Sequence, residues 1–287
     1  MNNEIVFYYV VYTNPPYEKF NPFWINFLIS LATVRFFYPK NKVIVITYKD
    51  DNPPKIAYEL SNKMNYQIIQ EDPIYNNLDN LRLNYKMFSR HVNCYNNAIK
   101  NKEKIIYLDS DIFLLKPFTN IRWDKIGIYT DNISQVNGGL IYMDSNSEAA
   151  ERFVNFIDSE LKDILDNKYD KMAYIKKAYP NCNENCSIQE ETMFRNFVQR
   201  DREKFLETFY NFGYQNNGTV SSKKIKNEDS IKDLNNLHLI VDPPEKIPSI
   251  ISKINSLCCI LSSNHHIRHL MPEFEIKENK KIYLKFI

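Results

Sequence analysis

The chain has 287 residues, a formal net charge of +2, and hydrophobic and charged contents of 44% and 25%. That length favours one elaborated α/β domain over two full ones, and the near-neutral charge gives no whole-chain case for nucleic-acid or membrane-surface binding. No stretch has the apolar length that spans a bilayer, and the first residues lack a signal peptide's basic region and cleavage site, so a cytoplasmic protein is expected.

In chain order, β-branched and aromatic runs at 5–12 and 42–48 predict buried strands, separated by helical spacing over 22–38. A second helix runs from Asn52 to about Met64, a third strand covers 66–70, and a helix at 84–100 leads into a strand at 104–108. This alternation predicts a mainly parallel, doubly wound sheet that binds ligands beyond the carboxyl ends of its strands. Tyr12-Thr13-Asn14-Pro15-Pro16 follows the first strand where a dinucleotide or P-loop protein would have glycines, which disfavours both. Further on, strands at 126–130 and 140–143 flank Asn137-Gly138-Gly139, and a helix covers 147–167. An irregular insertion at 170–187 precedes a helix at 188–200. The charged stretch 223–236 reads as a loop or lid, with strands near 237–241, 258–261 and 280–287. The five cysteines, Cys94, Cys182, Cys186, Cys258 and Cys259, are an odd set without a disulfide framework, and free thiols are expected.

The segment Lys104-Ile-Ile-Tyr-Leu-Asp-Ser-Asp-Ile-Phe-Leu-Leu115 places Asp109 and Asp111 at the end of an apolar strand. Read as strand residues two apart, the two carboxylates leave one face and converge, an arrangement that a hard divalent cation resolves. Two adjacent glycines, Gly138 and Gly139, in a chain with only 5 mark either a tight turn or a close approach of backbone to a ligand. Gln189, Glu190 and Glu191 open a helix, where carboxylates also favour the positive end of the dipole. Lys86 and Arg90 lie one helical turn apart and share a face, either solvated or turned to a ligand.

The 104–115 segment resembles the DxD motif of GT-A fold glycosyltransferases in the form used by family 8 and its relatives. The resemblance implies one GT-A catalytic domain over 1–287, with a nucleotide-binding half at 1–115 and a sugar and acceptor half at 116–287. Its mainly parallel central sheet would be flanked by helices, with a smaller antiparallel part on the acceptor side. It also implies Mn²⁺ or Mg²⁺ held by Asp109, Asp111 and one of His265 and His266. The donor sugar would lie on Asn137, Gly138 and Gly139, with Gln189, Glu190 and Glu191 in catalytic or sugar-binding roles. Tyr12, Thr13, Asn14, Asp72, Arg90 and Ser110 would meet the nucleotide. The implied reaction moves a hexose from a nucleotide-sugar, UDP-linked by preference, to an acceptor hydroxyl with retention. The alternatives are a non-catalytic sugar-binding scaffold and a sugar-nucleotide pyrophosphorylase, the latter disfavoured by the missing glycine-rich loop.

Overall fold

The computed structural model describes residues 5–12, 22–75, 85–114, 116–119, 121–130, 136–182 and 188–211, and the short strands 217–218, 236–238, 273–277 and 281–285. In chain order the first elements are β1 (Ile5–Val10), α1 (Pro22–Phe37), β2 (Val43–Tyr48), α2 (Lys55–Lys63), β3 (Gln67–Glu71), α3 (Tyr85–Asn101), β4 (Lys104–Leu108) and β5 (Ile112–Leu114). There follow β6 (Ile126–Thr130), β7 (Val136–Asp144), α4 (Glu148–Leu165), α5 (Lys171–Ala178), α6 (Glu190–Arg200), α7 (Arg202–Thr208) and β8 (Phe209–Asn211). The remaining strands are β9 (Asn217–Gly218), β10 (Asn236–His238), β11 (Glu273–Lys277) and β12 (Lys281–Lys285).

The main sheet has the order β3-β2-β1-β4-β7-β6-β8. Its first four strands are parallel, as the alternation of strands and helices requires, so the ends of β1, β2 and β4 open onto one edge. β7 then pairs antiparallel with both β4 and β6, which gives the expected antiparallel part. Alternate residues of each strand serve opposite layers. Val6, Tyr8 and Val10 of β1 and Ile105 and Tyr107 of β4 pack toward α3, α4 and α6, whereas Phe7, Tyr9, Ile106 and Leu108 pack toward α1 and α2. Among the described residues no helix is long and apolar enough to cross a membrane.

The aliphatic residues after Asp111 form β5, which leaves for a second sheet with β10 and β9 and docks on α1, where Ser30 Oγ donates to the Ile112 carbonyl and Leu114 N–H donates to Thr33 Oγ1 at 2.9 Å. Three expectations need correction. The glycine pair is no turn between strands but lies inside β7. Part of the expected insertion is α5, started by the Asp170 carboxylate, which accepts from Ala173 N–H at 2.7 Å. Cys182 is disulfide-bonded, with a partner outside the described residues; one pair among five cysteines was compatible with the odd count, and spacing alone could not reveal it.

Gly127 of β6 lies beneath the buried ring of Tyr142 on β7, and a Cβ at position 127 would fall inside that ring. Gly127→Ala is therefore expected to force Tyr142 off its packing against Trp123 and to destabilise the fold by about 1–3 kcal/mol in urea denaturation. Unchanged stability would show that the β6–β7 contact is looser than described.

Candidate functional site

β4 ends at Leu108, and the backbone turns at once: Ile112 N–H donates to the Asp109 carbonyl at 3.1 Å, so Asp109, Ser110 and Asp111 form a tight turn. The two carboxylates thus come from a turn and not from one strand face, which corrects the geometric basis of the sequence expectation. Ser110 and Asp111 are buried, and the Asp109 side chain is about one-fifth exposed.

Against this turn lies the bulged middle of β7. β6 pairs Ile128 with Ile141 but Tyr129 with Asn137, so Gly138, Gly139 and Leu140 are extra residues on β7. The bulge is held on both sides. Asp109 N–H donates to the Gly139 carbonyl at 2.6 Å, and His91 Nε2 lies 2.9 Å from the Gly138 carbonyl. Since a carbonyl only accepts, Nε2 carries the hydrogen, and the ring is neutral: burial and the neighbouring Arg90 charge push the His91 pKa down to about 3.

Arg90 joins the parts. Its guanidinium is fully buried; Nη1 donates to Asp109 Oδ1 at 2.7 Å and Nη2 donates to Glu190 Oε1 at the start of α6. The Tyr107 hydroxyl donates to the same Asp109 oxygen. Burial opposes the Arg90 charge, but Asp109 and Glu190 outweigh it and hold its pKa well above the ordinary range. For Glu190 burial prevails over the attraction of Arg90 and lifts its pKa to about 7, since one guanidinium is shared by two carboxylates. Glu191 accepts from Gly138 N–H at 3.4 Å and lies 3.8 Å from Arg195. A Cβ on Gly138 would come within 3.2 Å of both Arg90 and His91, so a side chain there would press on pinned, buried groups. Three buried atoms of these residues, Arg90 Nε, His91 Nδ1 and Glu190 Oε2, have no hydrogen-bond partner among the described residues.

One turn earlier on α3, Lys86 reaches Asp50 and Asp51 beyond β2, both at 2.9 Å. Asp51 is buried at this contact and also accepts from Tyr48 N–H at 3.4 Å. Tyr12, at the end of β1, is buried with its ring stacked on Phe23. Gln189 precedes α6, and its N–H donates to Thr192 Oγ1 at 3.1 Å. Asp72 lies apart at the end of β3, ion-paired with exposed Lys49 at 2.5 Å. Thr13, Asn14, His265 and His266 lie outside the described residues, as does the side chain of Asn137. The structure therefore brings together Asp109, Ser110, Arg90, Gly138, Gly139, Glu190 and Glu191. Sequence reasoning missed His91 and Tyr107, which carry no local signal beyond adjacency to Arg90 and Asp109.

The donor chemistry fits a hard cation, since Asp109 and Asp111 present carboxylate oxygens from one short turn. Among the described residues no group of three or more potential ligands forms a complete metal site.

No protein-family model matches the sequence, and no curated protein matches it. Solved structures do. Mouse xyloside xylosyltransferase 1 in its apo form superposes with a TM-score of 0.50 at 12% identity, covering 82% of this chain and 96% of that one. The galactosyltransferase LgtC, in complex with donor and acceptor sugar analogues, matches at 0.44 and 8% identity over 89% and 96% of the two chains. The bifunctional glycosyltransferase WbbM matches at 0.49 and 7% identity, over 93% of this chain and 52% of that one.

The cluster generates a pH prediction. Folding raises Glu190 from its ordinary 4.5 to about 7, so the folded state binds the extra proton and stability falls as pH rises across that interval. His91 runs the other way: depressed from 6.5 to about 3, it contributes stability above pH 6.5 that is lost as pH falls toward 3. The two oppose each other below neutrality, so Glu190→Gln isolates one of them. Relative to that variant, the wild type is expected to lose on the order of 1–3 kcal/mol between pH 5 and pH 7.5 in urea titrations. Parallel pH profiles for the two proteins would contradict the assignment. The four-stranded parallel half, the antiparallel continuation through β7 and the site at their junction give this chain the fold of the GT-A glycosyltransferases.

Proposed function

We propose that the protein is a metal-dependent glycosyltransferase that moves a hexose from a UDP-sugar to an acceptor hydroxyl with retention of configuration. The observation that carries this reading is the convergence, at the carboxyl edge of the parallel strands, of the Asp109–Asp111 turn, the Gly138–Gly139 bulge and the acidic start of α6 around one buried guanidinium. In open α/β sheets that edge is where ligands bind.

Asp109 and Asp111 would hold Mn²⁺ or Mg²⁺, with His265 or His266 as the third ligand. The bound cation would supply countercharge for the diphosphate as it leaves. Tyr12, Thr13, Asn14 and Ser110 would meet the nucleoside. Asp72 is the weakest member of that set, because it is exposed and paired with Lys49 at the sheet's far edge. The sugar would rest on the Asn137–Gly139 segment, where the absence of a Cβ at Gly138 lets backbone come close. Glu190 and Glu191, with Gln189 before them, are placed to steady positive charge developing at the anomeric carbon. The acceptor proton would pass to the leaving phosphate oxygen, which needs no base on the opposite face. A cytoplasmic location, where nucleotide-sugars are made, belongs to the same reading.

Thermal melting with a panel of nucleotides and nucleotide-sugars, in Mn²⁺ and in EDTA, tests the proposal directly. Uridine nucleotides are expected to raise the melting temperature only with metal, and the rise should vanish in Asp111→Ala. Stabilisation by no nucleotide at all would overturn the reading. Once a donor is known, the anomeric configuration of the product decides between retention and inversion.

A further inference from the structure

Three carboxylates of the site are paired with two guanidinium groups: Arg90 binds Asp109 and Glu190, and Arg195 lies 3.8 Å from Glu191. Arg90 serves two at once, one on the turn after β4 and one on α6, and these are separated by 81 positions in the chain. Its side chain is only 5% exposed, so neither pair is screened by solvent. The Arg90 guanidinium also lies 5.7 Å from the Tyr107 ring centre, and the Tyr107 hydroxyl shares its Asp109 oxygen, which fixes the geometry on the turn side.

We propose that Arg90 is a positioning residue that couples cation binding at the Asp109–Asp111 turn to the placement of Glu190. The guanidinium stands on Asp109 as a built-in countercharge; when a divalent cation takes up that carboxylate, Arg90 is released to Glu190 and holds α6 in its working position. The inference rests on the metal-dependent reading above and extends it, because it assigns Arg90 to the enzyme's own carboxylates and not to the nucleotide. It follows from charge and distance. A cation at Asp109 repels Arg90, and Glu190 is the acceptor already within its reach. Glu190 thereby lowers the barrier to releasing Asp109, and the two sites gain affinity from each other by linkage.

Mn²⁺ binding to the purified full-length protein without nucleotide, followed by the electron paramagnetic resonance signal of free Mn²⁺, reads this coupling without recourse to activity. Glu190→Gln is expected to weaken Mn²⁺ binding about tenfold, a typical size for coupled sites. In an Arg90→Met background the same substitution should change the affinity less than about threefold, because the residue that transmits the effect is gone. Arg90→Lys, a point charge that cannot fork between two carboxylates, serves as the second background if Arg90→Met does not fold, and should uncouple the pair likewise. An equal effect of Glu190→Gln in wild-type and Arg90-substituted protein, or no effect in either, would overturn the coupling while leaving the metal site standing. A folded wild type that binds no Mn²⁺ without nucleotide would overturn the coupling, and the metal-dependent nucleotide shift described above would decide metal dependence separately.

Discussion

The arrangement of this protein's candidate site depends on one buried cation. A guanidinium taken out of water carries a penalty of several kcal/mol that good geometry offsets but seldom exceeds, and apolar groups of the same shape commonly serve stability as well or better. Arg90 is therefore poorly explained as a contribution to folding energy. It is well explained by geometry, because its planar fork is the one side chain here that can hold two carboxylates from distant segments at fixed distances.

The rest of α3 is built on the same plan. Lys86 binds Asp50 and Asp51 past the end of β2, Arg90 binds Asp109 past the end of β4, and Asn93 and Asn97 both donate to the Glu71 carboxylate at the end of β3. The helix thus lays a polar row across the sheet while Phe88, Val92 and Ala98 pack into the apolar layer. The ends of β2, β3 and β4 are thus each held by side chains of this one helix. The β7 bulge joins the scheme through His91, the residue after Arg90, so two consecutive side chains hold the Asp109–Asp111 turn, the glycine segment and the start of α6.

This division explains what was legible in the sequence. The continuous apolar, β-branched runs of β1, β2 and β4, buried on both faces, are local signals, and they give the parallel half of the sheet with its strand ends nearly in place. The Asp109–Asp111 pair was equally visible, although its turn geometry was not, because the departure of β5 depends on docking to Ser30 and Thr33 some 81 or 82 positions away. The bulge at Gly138 was hidden for a similar reason, since a register shift exists only relative to a partner strand. Lys86 and Arg90 one turn apart look the same whether the face they share meets solvent or a row of carboxylates. Only the tertiary pairing with Glu190, 100 positions on, separates those cases.

Glu190 shows how the arrangement leaves the charge of a buried carboxyl group open to its surroundings. It opens an α-helix, where the dipole favours an anion, and it faces Arg90, which favours the anion further; yet complete burial raises its pKa to about 7. Burial outweighs the attractions and brings the carboxyl group near neutrality, so the charge on Glu190 follows changes at its neighbours. Removing the claim of Asp109 on Arg90 is such a change, and it acts through a single hydrogen-bonded side chain without moving the sheet. A fully exposed carboxylate would respond weakly because solvent screens it, and one paired alone with its own arginine would already be fixed as the anion. Sharing the guanidinium keeps Glu190 responsive, and burial ensures that what it responds to is the occupant of the site.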